Sequence, residues 1–146
     1  MNDTTRLKYL RIALVLVGII FIIGLYLLMI VWPSGGWTWH TGHSDYPLMI
    51  VGVYATLGVF LLLAARSPLD NLSLIWFTVW SSVVHASIMA FQSFEMPQNH
   101  GHLFGDVPAL FIVAAVLGFL TPRREALSRR TKGGISPIIP HPGPGT

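Results

Sequence analysis

The stretch that decides the fold is residues 10–32, which read LRIALVLVGIIFIIGLYLLMIVW. Its only charged side chain is Arg11, near its start, and it exceeds the roughly 20 apolar residues that a helix needs to cross a bilayer. Backbone amide and carbonyl groups cannot stay unpaired in lipid, so such a run forms either a helix or a strand of a closed barrel. It lacks the period-two alternation of a barrel strand, and we therefore predict a transmembrane helix.

Three further apolar runs follow, at residues 47–65, 72–92 and 103–121. Ser67-Pro68 is predicted to begin the third helix, with Ser67 as the N-cap. Asp45 and Asp106 each stand two residues before a proline and are predicted to cap the second and fourth helices. The fold class predicted is an all-α membrane protein, a bundle of four transmembrane helices.

The composition of the whole chain agrees with this fold. Of its 146 residues, 53% are apolar and 10% are charged, whereas soluble domains carry about a quarter charged residues. With no cysteine, the chain forms no disulfide and no thiolate metal site. We expect a short N-terminus (1–9), a membrane domain (10–121), and a tail (122–146) that is basic, then rich in Pro and Gly, and disordered.

The positive charges predict the orientation in the membrane. All nine Lys and Arg residues lie before the first helix, between the second and third, or after the fourth (positions 6, 8, 11, 66, 123, 124, 129, 130 and 132). The positive-inside rule then places both termini in the cytoplasm, with the protein in the cell inner membrane. The lipid bilayer is the expected partner and nucleic acid is not, because these clusters match anionic headgroups. Other membrane proteins or a second copy are further candidate partners.

Histidines and carboxylates gather on the opposite, outer side. The candidate metal ligands are His85, His100, His102, His40 and His43, with Asp45, Glu95 and Asp106 as carboxylates that orient them. Imidazole suits Zn, Cu and Fe, and a carboxylate on the second ring nitrogen fixes the tautomer. The alternative is that the loop histidines are solvated at headgroup level beside Trp37, Trp39 and Tyr46, an aromatic belt.

The third helix carries a polar stripe. Its members fall within an arc of about 80° at 100° per residue; they are Asn71, Thr78, Ser82, His85, Met89 and Gln92. Polar groups are costly in lipid, so the stripe is predicted to face the bundle interior. His85 is then either a functional group or a neutral histidine that hydrogen-bonds to Ser81, Ser82 or Gln92. Small residues at 82, 86 and 90 predict close packing against Ala114 and Gly118 of the fourth helix.

Four segments carry a family resemblance: residues 54–66 (YATLGVFLLLAAR), 73–80 (SLIWFTVW), 82–85 (SVVH) and 101–108 (GHLFGDVP). With them the chain resembles a family of small bacterial membrane proteins known only as a domain of unknown function. The likeness covers about residues 10–122. It implies four helices in a bacterial inner membrane, and it implies no activity, substrate or catalytic residue.

Two functions are compatible with these features. The first is a multi-pass, non-enzymatic accessory or interaction protein, with no cofactor, in which the polar stripe serves packing. The second is a metal-dependent binding protein or enzyme that uses a divalent transition metal at the outer membrane face. Ion or proton transport is disfavoured because the predicted helices bury no carboxylate.

Overall fold

A computed structural model describes residues 3–31, 46–95 and 97–122, whose regular structure is all helical. The α-helices are α1 (Asp3–Ile19), α2 (Leu25–Val31), α3 (Tyr46–Ala64), α4 (Leu72–Glu95) and α5 (Asp106–Leu120). A π-helical segment, Ile20–Gly24, joins α1 to α2 directly. Two 3₁₀ helices, Pro68–Asn71 and Pro97–Leu103, precede α4 and α5.

In the part of the chain that the structure describes, three helical stretches are long and apolar enough to cross a membrane: Asp3–Leu28, Pro68–Glu95 and His100–Leu120. Within α3, Leu48–Ala64 forms a shorter apolar helix. Large apolar side chains point away from the bundle, for example Trp80 at 64% and Phe119 at 73% exposure. So much bare apolar surface fits lipid and not water. The predicted all-α membrane bundle is confirmed.

Arg6 ties the first helix to the last. Its guanidinium Nε donates a hydrogen bond to the carbonyl of Leu120 at 3.0 Å, and Nη2 donates to those of Phe119 and Thr121. Carbonyls at the end of a helix have no partner within the helix, so the arginine satisfies them. The start of α1 and the end of α5 therefore lie together. We call this the arginine end, and the opposite end, where Asp106 starts α5, the cavity end.

The helices pack as two pairs. The first pair is α3 against α1 and the π-helical segment, and the second is α4 against α5, while consecutive α3 and α4 contact each other little. In the first pair the backbones of Gly18 and Gly58 meet: a Cβ built on Gly58 would lie 2.6 Å from the Gly18 carbonyl oxygen. In the second pair α4 and α5 pack together, and Gly118 faces the side chain of Val79; the contact of the small residues at 82, 86 and 90 with Gly118 stays a prediction.

Two apolar clusters form the core. The larger occupies the arginine end and the middle of the bundle; it comprises Leu10, Ala13, Leu14, Val17, Phe21, Leu61, Ala65, Ile75, Val79, Ala114 and Leu117. The smaller lies at the cavity end and comprises Ala86, Met89, Val107 and Leu110. Among residues 3–31, 46–95 and 97–122, the cavity end is therefore the more thinly packed of the two.

The helix starts differ in detail from the predictions. Ser67 does stand at the N-cap position, but its side chain makes no capping hydrogen bond; its carbonyl accepts one from Asn71 Nδ2 at 2.9 Å. The cap predicted at Asp106 is wrong, since Gly105 is the N-cap and Asp106 is the first helical residue. The physical reason is that the Asp106 carboxylate turns back to His102 instead. Asp45, the other predicted cap, lies outside the described residues.

Candidate functional site

A cavity of about 310 Å³ opens between α3 and the α4–α5 pair at the cavity end. Its wall is mostly apolar and comes from the π-helical segment and from α2, α3, α4 and α5. The lining residues are Ile20, Phe21, Leu25, Ile50, Val51, Tyr54, His85, Met89, Asp106, Ala109, Leu110, Ile112 and Val113. A second hollow of about 320 Å³ adjoins it and shares Ile50, Tyr54 and His85. Small-molecule sites in proteins are commonly of this size and lining, a few polar groups in an apolar wall.

The backbone of the first helix helps to form this space. The π-helical segment supplies Ile20 and Phe21 to the wall. A π-turn inserts one residue into the helical repeat and is found frequently at functional sites. Together with the sparse contact between α3 and α4, it leaves the cavity end unfilled.

Three polar side chains meet in the cavity, each from a different helix: Tyr54 of α3, His85 of α4 and Asp106 of α5. The ring of Tyr54 lies edge-to-face against Phe21, with 4.8 Å between centroids, and against His85 at 5.7 Å. The Asp106 carboxylate interacts electrostatically with both Tyr54 and His85. In the part of the chain that the structure describes, neither the Tyr54 hydroxyl nor the His85 ring hydrogen-bonds to protein.

His102 holds the Asp106 carboxylate from outside the cavity. Its Nδ1 lies 3.0 Å from Asp106 Oδ2, across one turn between the 3₁₀ helix and α5. The imidazole is almost wholly buried, at 3% exposure. The Asp106 Oδ1 atom is buried too, and among the described residues it makes no hydrogen bond of good geometry. The backbone N–H groups of Asp106 and Val107 stabilise the negative charge of the carboxylate. The pair fixes both side chains and gives the cavity a hydrogen-bond acceptor.

The predicted metal ligands are dispersed. His85 lines the cavity, His102 is buried beside Asp106, and His100 and Glu95 are exposed. Within residues 3–31, 46–95 and 97–122, no three His, Asp or Glu side chains are placed to hold one ion. His40, His43 and Asp45 lie outside these ranges. A metal site that includes them stays a prediction.

The polar stripe of α4 has a mixed placement. Thr78, Ser82 and Met89 are buried, His85 is half-buried, and Gln92 is exposed. Asn71 lies in the preceding 3₁₀ helix, where it bonds to Ser67.

The hydrogen bond predicted from Ser81, Ser82 or Gln92 to His85 does not form. Ser81 donates to the carbonyl of Thr78 at 3.2 Å instead, because a hydroxyl on a helix easily reaches a carbonyl one turn back.

The sequence analysis did not predict the role of Tyr54 in the cavity or the π-helical segment. The feature that could have indicated Tyr54 is its phenolic hydroxyl within the apolar run at residues 47–65. A polar group at that depth is costly unless it faces a partner or a cavity. The π-turn at Ile20–Gly24 has no comparable signal, because its residues are ordinary apolar helix formers apart from the glycine.

Comparison with known families adds one finding. Residues 4–136 match the model of the family of unknown function DUF6632. The chain belongs to this family. The match covers every described helix apart from Asp3, the first residue of α1, and it confirms the resemblance to a domain of unknown function. No curated protein and no solved structure matches this DUF6632 member.

Proposed function

We propose that this protein is a non-enzymatic binding protein of the membrane that holds a lipid-soluble small molecule in the cavity among its helices. The observation that carries the proposal is the cavity itself, about 310 Å³ of mostly apolar space with three polar side chains. Its position among helices that are apolar enough to cross a membrane suits an occupant that dissolves in the bilayer. Binding requires an apolar wall and a few orienting polar groups, and both are present.

The proposal includes the orientation. We place the arginine end, with both termini, in the cytoplasm and the cavity end at the outer half of the inner membrane. The support is that all nine Lys and Arg residues lie on the arginine side of the predicted spans. The chain has no native cysteine, so Lys8→Cys and His100→Cys are clean reporters. A membrane-impermeant maleimide is expected to label His100→Cys in intact spheroplasts and Lys8→Cys only after lysis; the reverse pattern would overturn the orientation.

Photolabelling tests the binding site. The purified protein in lipid nanodiscs is irradiated with a ten-carbon alkyl diazirine, and the labelled peptides are mapped by mass spectrometry. Ala109→Phe places a ring in the cavity wall, whereas Ala115→Phe makes the same change on the lipid-exposed side of the same helix. We expect saturable labelling of cavity-lining peptides in the wild type and in Ala115→Phe, and its loss in Ala109→Phe.

One result would remove the proposal. If labelling rises linearly with probe concentration, spreads over the lipid-facing residues and is equal in Ala109→Phe and Ala115→Phe, the cavity holds no ligand. Circular dichroism and gel filtration of both variants establish that they are folded before they are compared.

A second candidate is a metal-dependent role at the outer face. The favouring observation is the His102–Asp106 pair, since a carboxylate on one ring nitrogen is how metal-binding imidazoles are oriented. Elemental analysis after growth with added Zn, Cu and Fe tests it, with His102→Ala against the tail variant His141→Ala. Stoichiometric metal that is lost only in His102→Ala supports this role, and metal-free wild type overturns it.

A further inference from the structure

We infer that the ligand is an aliphatic alcohol, whose hydroxyl group is held at the polar side of the cavity by Tyr54, His85 and Asp106. This inference rests on the proposed function, because it names the chemical class of the molecule bound there. Its basis is the hydrogen-bonding capacity of these three side chains, the charges around them and the size of the space.

The first step is that the polar groups of the cavity lack partners. Among the described residues, the Tyr54 hydroxyl and the His85 ring make no hydrogen bond to protein, although both line the cavity. A polar group that leaves water without a hydrogen bond is costly, and buried ones are almost always satisfied. Both side chains line the cavity, so an occupant with a polar group would supply the missing partner.

The second step is the match of donors and acceptors. A carboxylate only accepts hydrogen bonds, while a phenol and a neutral imidazole both donate and accept. A ligand hydroxyl also does both, so it can donate to Asp106 and accept from Tyr54 or His85. An ether or a ketone has no donor for the carboxylate, and an ammonium group has no acceptor for the phenol.

The charges around the cavity limit the charge of the ligand headgroup. Asp106 is already held by His102 at 3.0 Å, so its carboxylate has a partner before any ligand arrives. The lining has no Lys or Arg side chain, and phosphate or carboxylate headgroups would meet Asp106 without a counter-charge. Burial of an unpaired charge is costly, which favours a neutral headgroup over an anionic one.

The volume of the cavity limits the size of the ligand. About 310 Å³ corresponds to roughly ten times the volume of one water molecule in the liquid. A saturated chain of about ten carbons is the scale of occupant that this space takes, and a longer chain can leave through the opening between α3 and α4. Decan-1-ol is therefore a suitable probe.

Competition between isomers tests the headgroup. The alkyl diazirine is displaced from the protein in nanodiscs by decan-1-ol or by its isomer 1-methoxynonane, which has the same atoms but no donor. Decylamine and decanoic acid test charged headgroups, and all competitors are compared at equal measured concentration in the membrane. The proteins are wild type, Tyr54→Phe, Asp106→Asn and the control Tyr9→Phe, an exposed tyrosine on α1.

We expect decan-1-ol to displace the probe from wild type at about one-tenth of the concentration that 1-methoxynonane needs, the worth of one or two hydrogen bonds. In Tyr54→Phe and Asp106→Asn the ratio should fall clearly below the wild-type value, because each change removes or weakens one hydrogen bond to the hydroxyl. The alkyl diazirine, which has no polar headgroup, should still label both variants saturably. Tyr9→Phe should keep the wild-type ratio. If Asp106→Asn does not fold, the conservative change Tyr54→Phe alone decides.

The failures are distinguishable. Saturable labelling with equal displacement by the two isomers overturns the hydroxyl inference and leaves the proposed function standing. Strongest displacement by decylamine or decanoic acid also overturns it, in favour of a charged headgroup. Absence of saturable labelling removes the proposed function and this inference together.

Discussion

The arginine end and the cavity end of the bundle differ in how completely apolar side chains fill them. At the arginine end, eleven buried apolar residues form one cluster, and Arg6 satisfies the carbonyls that end α5. At the cavity end the cluster has four members, and the Asp106 Oδ1 atom is buried without a hydrogen bond. Among the described residues, apolar packing is therefore concentrated at the arginine end. The polar side chains that line the cavity lie at the opposite end.

The division begins where Gly18 meets Gly58. The backbones of α1 and α3 are in contact there, and the π-helical segment starts at Ile20, immediately beyond α1. On the other side, α3 and α4 contact each other little. α1 and α3 are in contact at Gly18 and Gly58, and the π-helical segment follows directly after this contact. The cavity occupies the space beside that segment.

The largest expected effect comes from adding the same ring to each end. Ala114→Phe inserts it into the packed cluster, where Ala114 is buried, and should lower the free energy of unfolding by about 3 kcal/mol, at the upper side of typical overpacking. Ala109→Phe adds the ring to the cavity wall and should change it by less than about 1 kcal/mol, because the space is there. Denaturant titration in detergent measures both. Equal destabilisation would mean that the two ends are packed alike.

A smaller effect is expected at the glycine contact. Gly58→Ala puts a Cβ 2.6 Å from the Gly18 carbonyl oxygen, whereas Gly52 has nothing within 4 Å of the equivalent position. We expect Gly58→Ala to cost about 2 kcal/mol, since backbone has to move. Gly52→Ala should be neutral or stabilise by up to about 1 kcal/mol through helix propensity. Thermal melts of the pair decide, and a melting temperature unchanged in Gly58→Ala would argue against the close contact.

The smallest effect is expected from Arg6. Arg6→Gln removes the guanidinium group that donates hydrogen bonds to the carbonyls of Phe119, Leu120 and Thr121 at the end of α5. It should lower the free energy of unfolding by about 1 to 2 kcal/mol. Arg11→Gln, on the exposed side of the same helix, is the control and should stay within about 0.5 kcal/mol. Chemical denaturation followed by circular dichroism measures the pair. Equal values would show that the junction of α1 with α5 adds nothing to stability.

The fold was predictable because lipid restricts what a chain can do. Apolar runs of sufficient length have to be helices, and the small residues of α4 and α5 predicted their close packing. The start of α5 was not predicted, because Leu103 continues the apolar run but is the last residue of a 3₁₀ helix, and a turn that includes the N-cap Gly105 separates it from α5. The Gly18–Gly58 contact was not predicted either, since it depends on which helices pair.

The site was predictable only in part. The sequence singled out His85 as an ionisable group inside a helix, His102 as a candidate metal ligand and Asp106 as a carboxylate that could orient such ligands. It did not predict that His102 and Asp106 contact each other. Tyr54 escaped because it sits alone in an apolar run, and its partners Phe21 and His85 come from two other helices. The cavity follows from how the helices diverge, which no single segment encodes.

The most direct measurement of the central claim is native mass spectrometry of the protein as purified in mild detergent. We expect wild type and Ala115→Phe to carry one bound small molecule, a neutral lipid-soluble alcohol, and Ala109→Phe to carry none. Identical sets of bound molecules in all three proteins, or none in any of them after the purified protein is incubated with decan-1-ol, would contradict a binding site at the cavity end.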